Sequence, residues 1–296
     1  MSDIPKKIDN YSIIEKIGEG GMGVVYLAKN NEQEVVLKTI NPNINTNEKM
    51  AYRLRKHFER EIRVAGRLKH PNVVTVYSVN LEHEPPYLVM EKLSGGTLGD
   101  FLFVKRKLFW KDALKLLQPV VEALIHVHEQ TFKNMNDKIE GLIHRDIKPA
   151  NLMFAGDKED KLQDTIKIVD FGLARWKSDT VLTRLGKDIK GALPYMPPEQ
   201  ALAKQVDRRV DIYALGIILF EAIAGHNPQL RNTPFGTEEA ATSMEPIDMA
   251  SLLDKAPPQV IELITKAVAK DKNKRYPDCQ ALLADWTQCI KISTEE

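Results

Sequence analysis

Several features of secreted, membrane-spanning and metal-binding proteins are missing from this sequence. Of its 296 residues only two are cysteines, Cys279 and Cys289, and no metal-ligand spacing surrounds them. We therefore expect reduced thiols of a cytoplasmic protein, with neither a disulfide framework nor a zinc site. The N-terminal stretch MSDIPKKIDN has no apolar core and does not resemble a signal peptide. The longest apolar run, from Ile212 to Gly225, contains Glu221 and is too short for a membrane span, which needs about 20 residues.

An excess of charge of one sign is also missing. The chain has 42 Lys and Arg residues against 41 Asp and Glu, a formal net charge of +1. Nucleic acid and anionic membrane surfaces are therefore not expected partners. The composition is that of an ordinary globular protein, 43% hydrophobic and 28% charged, in a chain long enough to bury a sizeable core.

Hydrophobic periodicity divides the chain into a strand-rich first part and a helical second part. Alternation predicts strands over 11–17, 24–28, 34–40, 73–79 and 87–90, and a period of three to four residues predicts a helix over 49–68. Ser94-Gly95-Gly96 marks a hinge. After it, helices are predicted over 113–127, 212–224 and 260–269, and short strands over 143–154 and 165–169. This order predicts an α+β fold with a small β-rich lobe and a larger helical lobe.

A glycine cluster, Gly18-Glu19-Gly20-Gly21-Met22-Gly23, follows the first predicted strand. A dinucleotide-binding fold would require a helix directly after these glycines, but residues 24–28 have a strand pattern. A phosphate loop of the P-loop type would require Gly-Lys-Ser/Thr, which does not follow. Two interpretations remain: a strand-glycine-strand hairpin that covers phosphates with its backbone amides, and a plain β-hairpin.

Lys38 lies among apolar residues of a predicted strand. Its ammonium group either extends to solvent along the strand or is directed at phosphate oxygens by a carboxylate partner. Glu61, on the following helix, is the candidate partner, although that helix is rich in charged residues and Glu61 is equally well explained as a solvated charge.

The strongest motif is the run His144-Arg145-Asp146-Ile147-Lys148-Pro149-Ala150-Asn151. Its specified residues at this spacing should occur by chance on the order of once in 10⁴ to 10⁵ such chains. Phosphoryl transfer needs a carboxylate that orients a hydroxyl and accepts its proton, a cation near the moving phosphoryl group, and an oxygen ligand for a metal ion. Asp146, Lys148 and Asn151 supply these three groups in that order. The alternative, a solvated polar turn, does not explain the apolar residues on both sides.

Acidic residues further along the chain have two different predicted roles. Asp170, in Asp170-Phe171-Gly172 at the end of a predicted strand, is placed to hold Mg²⁺. Glu199 and Asp211 are expected to be structural, because buried carboxylates need partners. We expect Glu199 to pair with Arg275, and Asp211 to hold the backbone of the 144–151 loop.

In this order, these motifs resemble the eukaryotic-type protein kinase family, and among its members most closely the bacterial serine/threonine kinases. The resemblance extends from about residue 11 to residue 286 and implies a bilobal catalytic domain. Residues 1–10 would be an N-terminal extension, 11–93 the N-lobe and 94–290 the C-lobe. It implies ATP and Mg²⁺ as cofactors, with Mn²⁺ as the alternative metal, and a protein as substrate.

The resemblance also implies an adenine slot between the lobes. Its apolar walls would be Ile17, Val25, Val36, Leu93 and Met153, with Met90 at the back and the backbones of Glu91 and Leu93 as the hydrogen-bonding hinge. Gly18, Gly20 and Gly23 would cover the phosphates. Residues 170–199 match the activation segment, in which Ser178, Thr180 and Thr183 are the expected sites of autophosphorylation.

Two residues depart from the family pattern, and two other functions remain open. Val36 stands where the family usually has alanine, and Ala192 stands where serine/threonine kinases usually have a threonine that touches the catalytic aspartate. Ala192 favours the alternative of a pseudokinase that acts as a nucleotide-binding scaffold. A small-molecule phosphotransferase is disfavoured by the Pro197-Pro198-Glu199 segment. The presence of all four residues of the predicted transfer machinery, Lys38, Asp146, Asn151 and Asp170, favours an active kinase, and Lys148 favours serine and threonine over tyrosine. The sequence predicts neither the substrate nor the oligomeric state.

Overall fold

The structure, a computed structural model, describes residues 4–19, 23–31, 33–41, 48–133, 139–156, 158, 160–170 and 189–293. Some of the residues singled out above lie outside this description: Gly20, Phe171, Gly172, Ser178, Thr180, Thr183 and the side chain of Glu61. Their predicted roles stay predictions.

Six antiparallel strands form the sheet of the first lobe, in the order β1-β2-β3-β4-β6-β5. Their bounds are Lys7–Ile8 (β1), Tyr11–Glu19 (β2), Gly23–Asn30 (β3), Gln33–Ile40 (β4), Val76–Asn80 (β5) and Tyr87–Glu91 (β6). Helix α1, Glu48–Ala65, connects β4 to β5. Its residues Phe58 and Ile62 pack with Leu88 of β6 in a buried cluster, so the helix lies against the sheet.

The two faces of the sheet differ, as the alternation along β4 illustrates. Val35 and Leu37 are buried, whereas Val36 and Lys38 are only half-buried. The buried side chains belong to an apolar cluster that includes Tyr26 and other residues of β1, β3 and β6. Successive side chains of a strand point to opposite faces, so the predicted nucleotide-binding residues of β4 share the face opposite this cluster.

The sheet curls until its first strand meets its last two. The carboxylate of Asp9, just after β1, accepts hydrogen bonds from the Tyr87 hydroxyl at 2.6 Å and from Asn80 Nδ2 at 3.1 Å. The rings of Tyr11 and Tyr87 meet edge to face with their centroids 6.1 Å apart. Strand pairing therefore begins at Lys7, ahead of residue 11.

The second lobe is helical, with two small hairpins. Its helices are Leu98–Lys105 (α2), Trp110–Glu129 (α3), Ile189–Ala192 (α4), Pro198–Ala201 (α5), Arg209–Ala224 (α6), Pro234–Thr242 (α7), Pro258–Ala267 (α8) and Cys279–Ile290 (α9). The hairpins pair Thr131–Lys133 (β7) with Ile139–Gly141 (β8), and Leu152–Phe154 (β9) with Ile166–Ile168 (β10). A strand-rich lobe followed by a helical one confirms the predicted α+β fold. In the part of the chain that the structure describes, no helix has both the length and the apolar character needed to cross a bilayer.

Helix α6 lies at the centre of the second lobe. It is buried along almost its whole length, as expected of a helix that is apolar nearly all round. A Cβ atom added to Gly216 would lie 2.7 Å from Val268 Cγ1 and 2.9 Å from Ala267 Cβ. The close approach of α6 to the end of α8 therefore requires glycine at this position.

The residues before Asn151 are not the strand that their apolar pattern predicts. Within 143–154, only Leu152–Phe154 forms a strand, and Pro149–Asn151 is a short 3₁₀ helix. The amide groups of His144 and Arg145 donate to the carboxylate of Asp211 and not to a neighbouring strand. The apolar residues of this segment are buried because the segment crosses the core as a loop.

We predict that Gly216→Ala lowers the free energy of unfolding by about 1–3 kcal/mol, because the added methyl group overpacks the α6–α8 contact. Urea denaturation measures the change. Gly191→Ala is the matched control, since a Cβ at Gly191 would meet no atom of the described residues within 4 Å. Equal stability of the two variants would contradict this description of the contact.

Candidate active site

The three residues of the 144–151 loop predicted to carry the chemistry meet at one carboxylate. Oδ2 of Asp146 accepts hydrogen bonds from Lys148 Nζ and from Asn151 Nδ2, both at 2.9 Å. Asn151 Nδ2 also donates to the backbone carbonyl of Asp146 at 2.8 Å. Burial raises the pKa of Asp146, and the positive charge of Lys148 acts against this shift. The loop thus presents a carboxylate, an ammonium group and an amide in mutual contact.

A second carboxylate, that of Asp211 on α6, holds this loop in place. Its Oδ1 accepts the amide of Arg145 at 2.7 Å, and its Oδ2 accepts the amide of His144 at 2.9 Å. Arg145 adopts a φ of 66°, a region that non-glycine residues rarely occupy and that surrounding contacts must impose. The expectation that Asp211 holds the loop backbone is confirmed.

Two further residues, His128 and Cys279, extend this anchor and were not predicted. His128 Nε2 lies 2.9 Å from Asp211 Oδ2, and His128 Nδ1 lies 3.6 Å from the sulfur of Cys279. Burial acts to raise the pKa of Asp211, but the hydrogen bond from His128 and the loop amides hold it below its ordinary value. A histidine at the end of the apolar stripe of α3 was the sequence signal that could have indicated a buried partner.

Asp170 lies beside this loop, at the end of β10. The amide of Val169 donates to the carbonyl of Asn151 at 2.9 Å, so the residue after it, Asp170, is next to the loop. Its φ is 59°, again a conformation that the surroundings must impose. Its side chain is 47% exposed, so the carboxylate is only partly buried.

Lys38 reaches from the sheet to Asp170 in the second lobe. Its Nζ lies 2.6 Å from Asp170 Oδ1, and its side chain is only 15% exposed. This pair joins the two lobes and was not predicted. The predicted partner, Glu61, is on α1, but its side chain lies outside the described part of the chain.

The apolar residues assigned to the adenine slot follow the same face of the sheet. Val25 lies directly opposite Lys38, and Val36 lies opposite Met90. Directly opposite residues in antiparallel strands share one face. All of these side chains are half-buried, in contrast to the closed cluster on the other face.

The remaining slot residues lie at the ends of this surface. Ile17 is 50% exposed near the end of β2. Leu93 and Met153 are half-buried. The backbone of Met153 forms an isolated antiparallel β-bridge with Thr97, which follows the hinge. Gly18 lies opposite Val25.

Gly23, at the start of β3, has a packing reason for being glycine. A Cβ atom there would lie 2.8 Å from the carbonyl oxygen of Thr39. This close approach of two strands explains Gly23 whether or not it also covers phosphates.

Glu91 in the hinge strand makes a second link between the lobes. Its Oε1 accepts the amide of Thr75 and the ammonium group of Lys167, each at 2.6 Å. Lys167 is on β10, in the second lobe. Burial acts to raise the pKa of Glu91, but the hydrogen bond from Lys167 holds it below its ordinary value. Sequence reasoning assigned only the backbone of Glu91 and missed Lys167.

The other predicted ion pair is present. The Arg275 guanidinium donates to both carboxylate oxygens of Glu199, at 2.6 and 3.0 Å, and this confirms the expectation. Beside it, Gln200 Nε2 donates to the carbonyl of Arg145 at 2.7 Å. Helix α5 is therefore tied both to the core of the second lobe and to the 144–151 loop.

A buried amide, Gln229, fixes the segment after Ala192 and was also missed. Its Nε2 donates to the carbonyls of Pro194 and Met196, at 2.9 and 3.3 Å. Its Oε1 accepts from the Tyr213 hydroxyl at 2.9 Å and from Lys270 Nζ at 2.7 Å. A fully hydrogen-bonded buried amide of this kind rigidifies its surroundings.

Comparison with known proteins assigns this architecture to a family. The sequence model described as "Protein kinase domain" matches residues 11–287. The chain therefore belongs to the protein kinase family.

Its similarity to individual members is moderate in identity and covers most of the chain. It is 34% identical to the serine/threonine-protein kinase PrkC of Bacillus subtilis over 95% of this chain, and 30% identical to the serine/threonine-protein kinase PknB of Mycobacterium tuberculosis over 94%. It is also 32% identical to the tyrosine-protein kinase MasK of Myxococcus xanthus over 92%. The chain spans only 41–42% of the length of these relatives.

We predict that Asp211→Asn destabilises the domain by about 3–5 kcal/mol, because an amide replaces one of the two oxygens that accept the loop amides and His128. Urea denaturation measures the stability. Asp254→Asn, at an exposed position, is the control. Equal unfolding midpoints for the two variants would show that Asp211 does not anchor the loop.

Proposed function

We propose that this domain transfers the γ-phosphoryl group of ATP to serine or threonine hydroxyls of proteins, including its own activation segment at Ser178, Thr180 or Thr183. One observation carries the proposal: Asp146, Lys148 and Asn151 meet at one carboxylate beside an Asp170 that is already bound by Lys38 from the other lobe. These are the groups that phosphoryl transfer needs, at the seam where a nucleotide would lie.

Asp146 would orient the substrate hydroxyl and accept its proton. Lys148, 2.9 Å from Asp146 Oδ2, favours the ionised form of this carboxylate and brings a positive charge to the place where the phosphoryl group moves. The amide of Asn151 binds the same oxygen and the backbone of Asp146, so the carboxylate is oriented before a substrate arrives. Positioning of this kind accounts for much of the rate enhancement in phosphoryl transfer.

The described side chains fit a hard divalent cation and ATP. The amide nitrogen of Asn151 faces Asp146, which leaves its amide oxygen as a ligand, and the half-exposed carboxylate of Asp170 is a second oxygen donor. Oxygen donors suit Mg²⁺, and Mn²⁺ is the alternative. When bound, the metal would neutralise charge on the phosphates. Lys38 would bind phosphate oxygens, and the apolar face with Val36 would contact the adenine.

The relatives do not decide which type of residue supplies the acceptor hydroxyl, because one of them is named a tyrosine kinase. The proposal of serine and threonine as acceptors, and not tyrosine, rests on Lys148. The alternative function is a nucleotide-binding scaffold without transfer activity, which Ala192 favours. We also propose a cytoplasmic location from the two free, buried cysteines, Cys279 and Cys289, and no role in nucleic acid binding.

Incubation with γ-labelled ATP and Mg²⁺, alone and with a generic basic protein, tests the function. Phosphoamino-acid analysis of the products should give phosphoserine or phosphothreonine. Phosphotyrosine would overturn the acceptor class. Binding of ATP without any label transfer would favour the scaffold.

We predict that Asp146→Asn lowers kcat by about 10²–10⁴-fold, because it removes the proton acceptor and its orienting charge. The affinity for ATP should change little, since Asp146 faces the hydroxyl. Steady-state kinetics and a nucleotide-binding titration measure the two effects, with Asp254→Asn as the control. Retention of a third of the wild-type turnover would show that Asp146 is not the base.

We predict that Lys38→Met reduces phosphoryl transfer far more than it weakens nucleotide binding. The ammonium group is held by Asp170 at 2.6 Å, and its value is positional, because it would orient the phosphates for transfer. The same two measurements apply, with the exposed Lys29→Met as the control. Normal turnover in Lys38→Met would contradict the assigned role.

A further inference from the structure

Ala192 borders a small cavity next to the catalytic carboxylate. The cavity has a volume of about 10 Å³, and Asp146, Ala192, Tyr195 and Gln200 are among the residues that line it. This is close to the smallest volume that holds one water molecule. Ala192 itself is buried, with 4% of its surface exposed, so its methyl group sets the size of the cavity on that side.

The two oxygens of Asp146 have different surroundings. Oδ2 accepts from Lys148 and Asn151, and neither of these residues lines the cavity. Oδ1 is buried and accepts no hydrogen bond from any residue within the described ranges. A buried carboxylate oxygen without a donor is costly. Of the two oxygens, Oδ1 is therefore the one that a donor in the cavity would serve.

Three other polar residues line the cavity, Arg145, Tyr195 and Gln200, and the side chains of the last two donate hydrogen bonds to groups other than Asp146. The Tyr195 hydroxyl donates to Glu221 at 2.8 Å. The Gln200 amide nitrogen donates to the carbonyl of Arg145 at 2.7 Å. A buried water molecule needs at least two polar partners, and Arg145 is a polar residue of the lining besides Asp146.

We propose that one ordered water molecule occupies this cavity, donates a hydrogen bond to Oδ1 of Asp146, and is an integral part of the catalytic site. Ala192 is then a positioning residue, because its small side chain makes room for this water. The water orients the carboxylate from the side opposite Lys148 and Asn151, so all the hydrogen bonds that fix Asp146 are made before a substrate binds. This inference rests on the proposed function of Asp146 as the proton acceptor.

Ala192→Val and Ala192→Thr test the proposal as a pair of nearly identical shape. Either side chain fills the cavity and expels the water, but only the threonine hydroxyl can donate to Oδ1. We expect kcat to be similar for the wild type and Ala192→Thr, and about tenfold or more lower for Ala192→Val, the loss expected for one hydrogen bond to a charged group. KM for ATP should be the same in all three proteins, since neither Lys38 nor any residue of the predicted adenine slot lines the cavity.

The ranking of the three proteins decides the outcome. Equal kcat values for Val and Thr would overturn the proposal. A wild-type kcat as low as that of Ala192→Val, with Ala192→Thr higher, would show that no water serves Oδ1, and would also overturn it. An inactive wild type would instead count against the proposed function.

A crystal structure of the wild-type domain gives an independent test if Ala192→Val does not fold. We expect a water molecule within hydrogen-bonding distance of Asp146 Oδ1, and its replacement by the threonine hydroxyl in Ala192→Thr. A side chain of residues 171–188 that donates to Oδ1 in the wild type would overturn the proposal.

Discussion

The carboxylate of Asp211 is the contact on which the geometry of this site depends. It is fully buried on the central helix of the second lobe and accepts the amides of His144 and Arg145 together with a ring nitrogen of His128. A buried carboxylate is stable only when such donors surround it, and removal of one partner leaves an uncompensated charge or dipole. This requirement fixes the start of the 144–151 loop in an unfavourable backbone conformation. Asp146, Lys148 and Asn151 take their positions from there.

The loop is fixed within one lobe, whereas the lobes themselves are joined by longer side chains. Lys38 reaches Asp170 at 2.6 Å, and Lys167 reaches Glu91 at 2.6 Å. Both partners of the Lys167–Glu91 pair are mostly buried, so solvent screens this pair less than it would screen a surface pair. In the other pair Lys38 is mostly buried, whereas Asp170 is half-exposed. The first pair couples the face of the sheet that is predicted to bind phosphate to the predicted metal ligand, and the second couples strand β6 to β10. A change in the angle between the lobes would therefore alter both of these ion pairs at once.

The sequence predicted the parts of the site that lie close together in the chain. Asp146, Lys148 and Asn151 share one loop, and their residue types suit one reaction, so their contact follows from the motif. The pairing of Glu199 with Arg275 and the role of Asp211 were also predicted, because buried charges need partners.

Contacts between distant residues of common types were not predicted. Three such contacts depend on helix and strand packing that no local pattern encodes. They join His128 to Cys279, Gln229 to Lys270, and Glu91 to Lys167. The prediction of a strand over 143–154 was wrong for another reason, which is the apolar pattern itself. A buried loop and a buried strand have the same apolar pattern, and only the acceptor of their amides distinguishes them.

Asp211 holds the 144–151 loop in place before any ligand binds. Amide hydrogen exchange of His144 and Arg145 in the nucleotide-free domain is the measurement that tests this, because both amides donate to this one carboxylate. We expect both amides to exchange as slowly as those in the core of α6, at a rate governed by global unfolding. Exchange at the rate of an exposed loop would show that Asp211 does not anchor the loop.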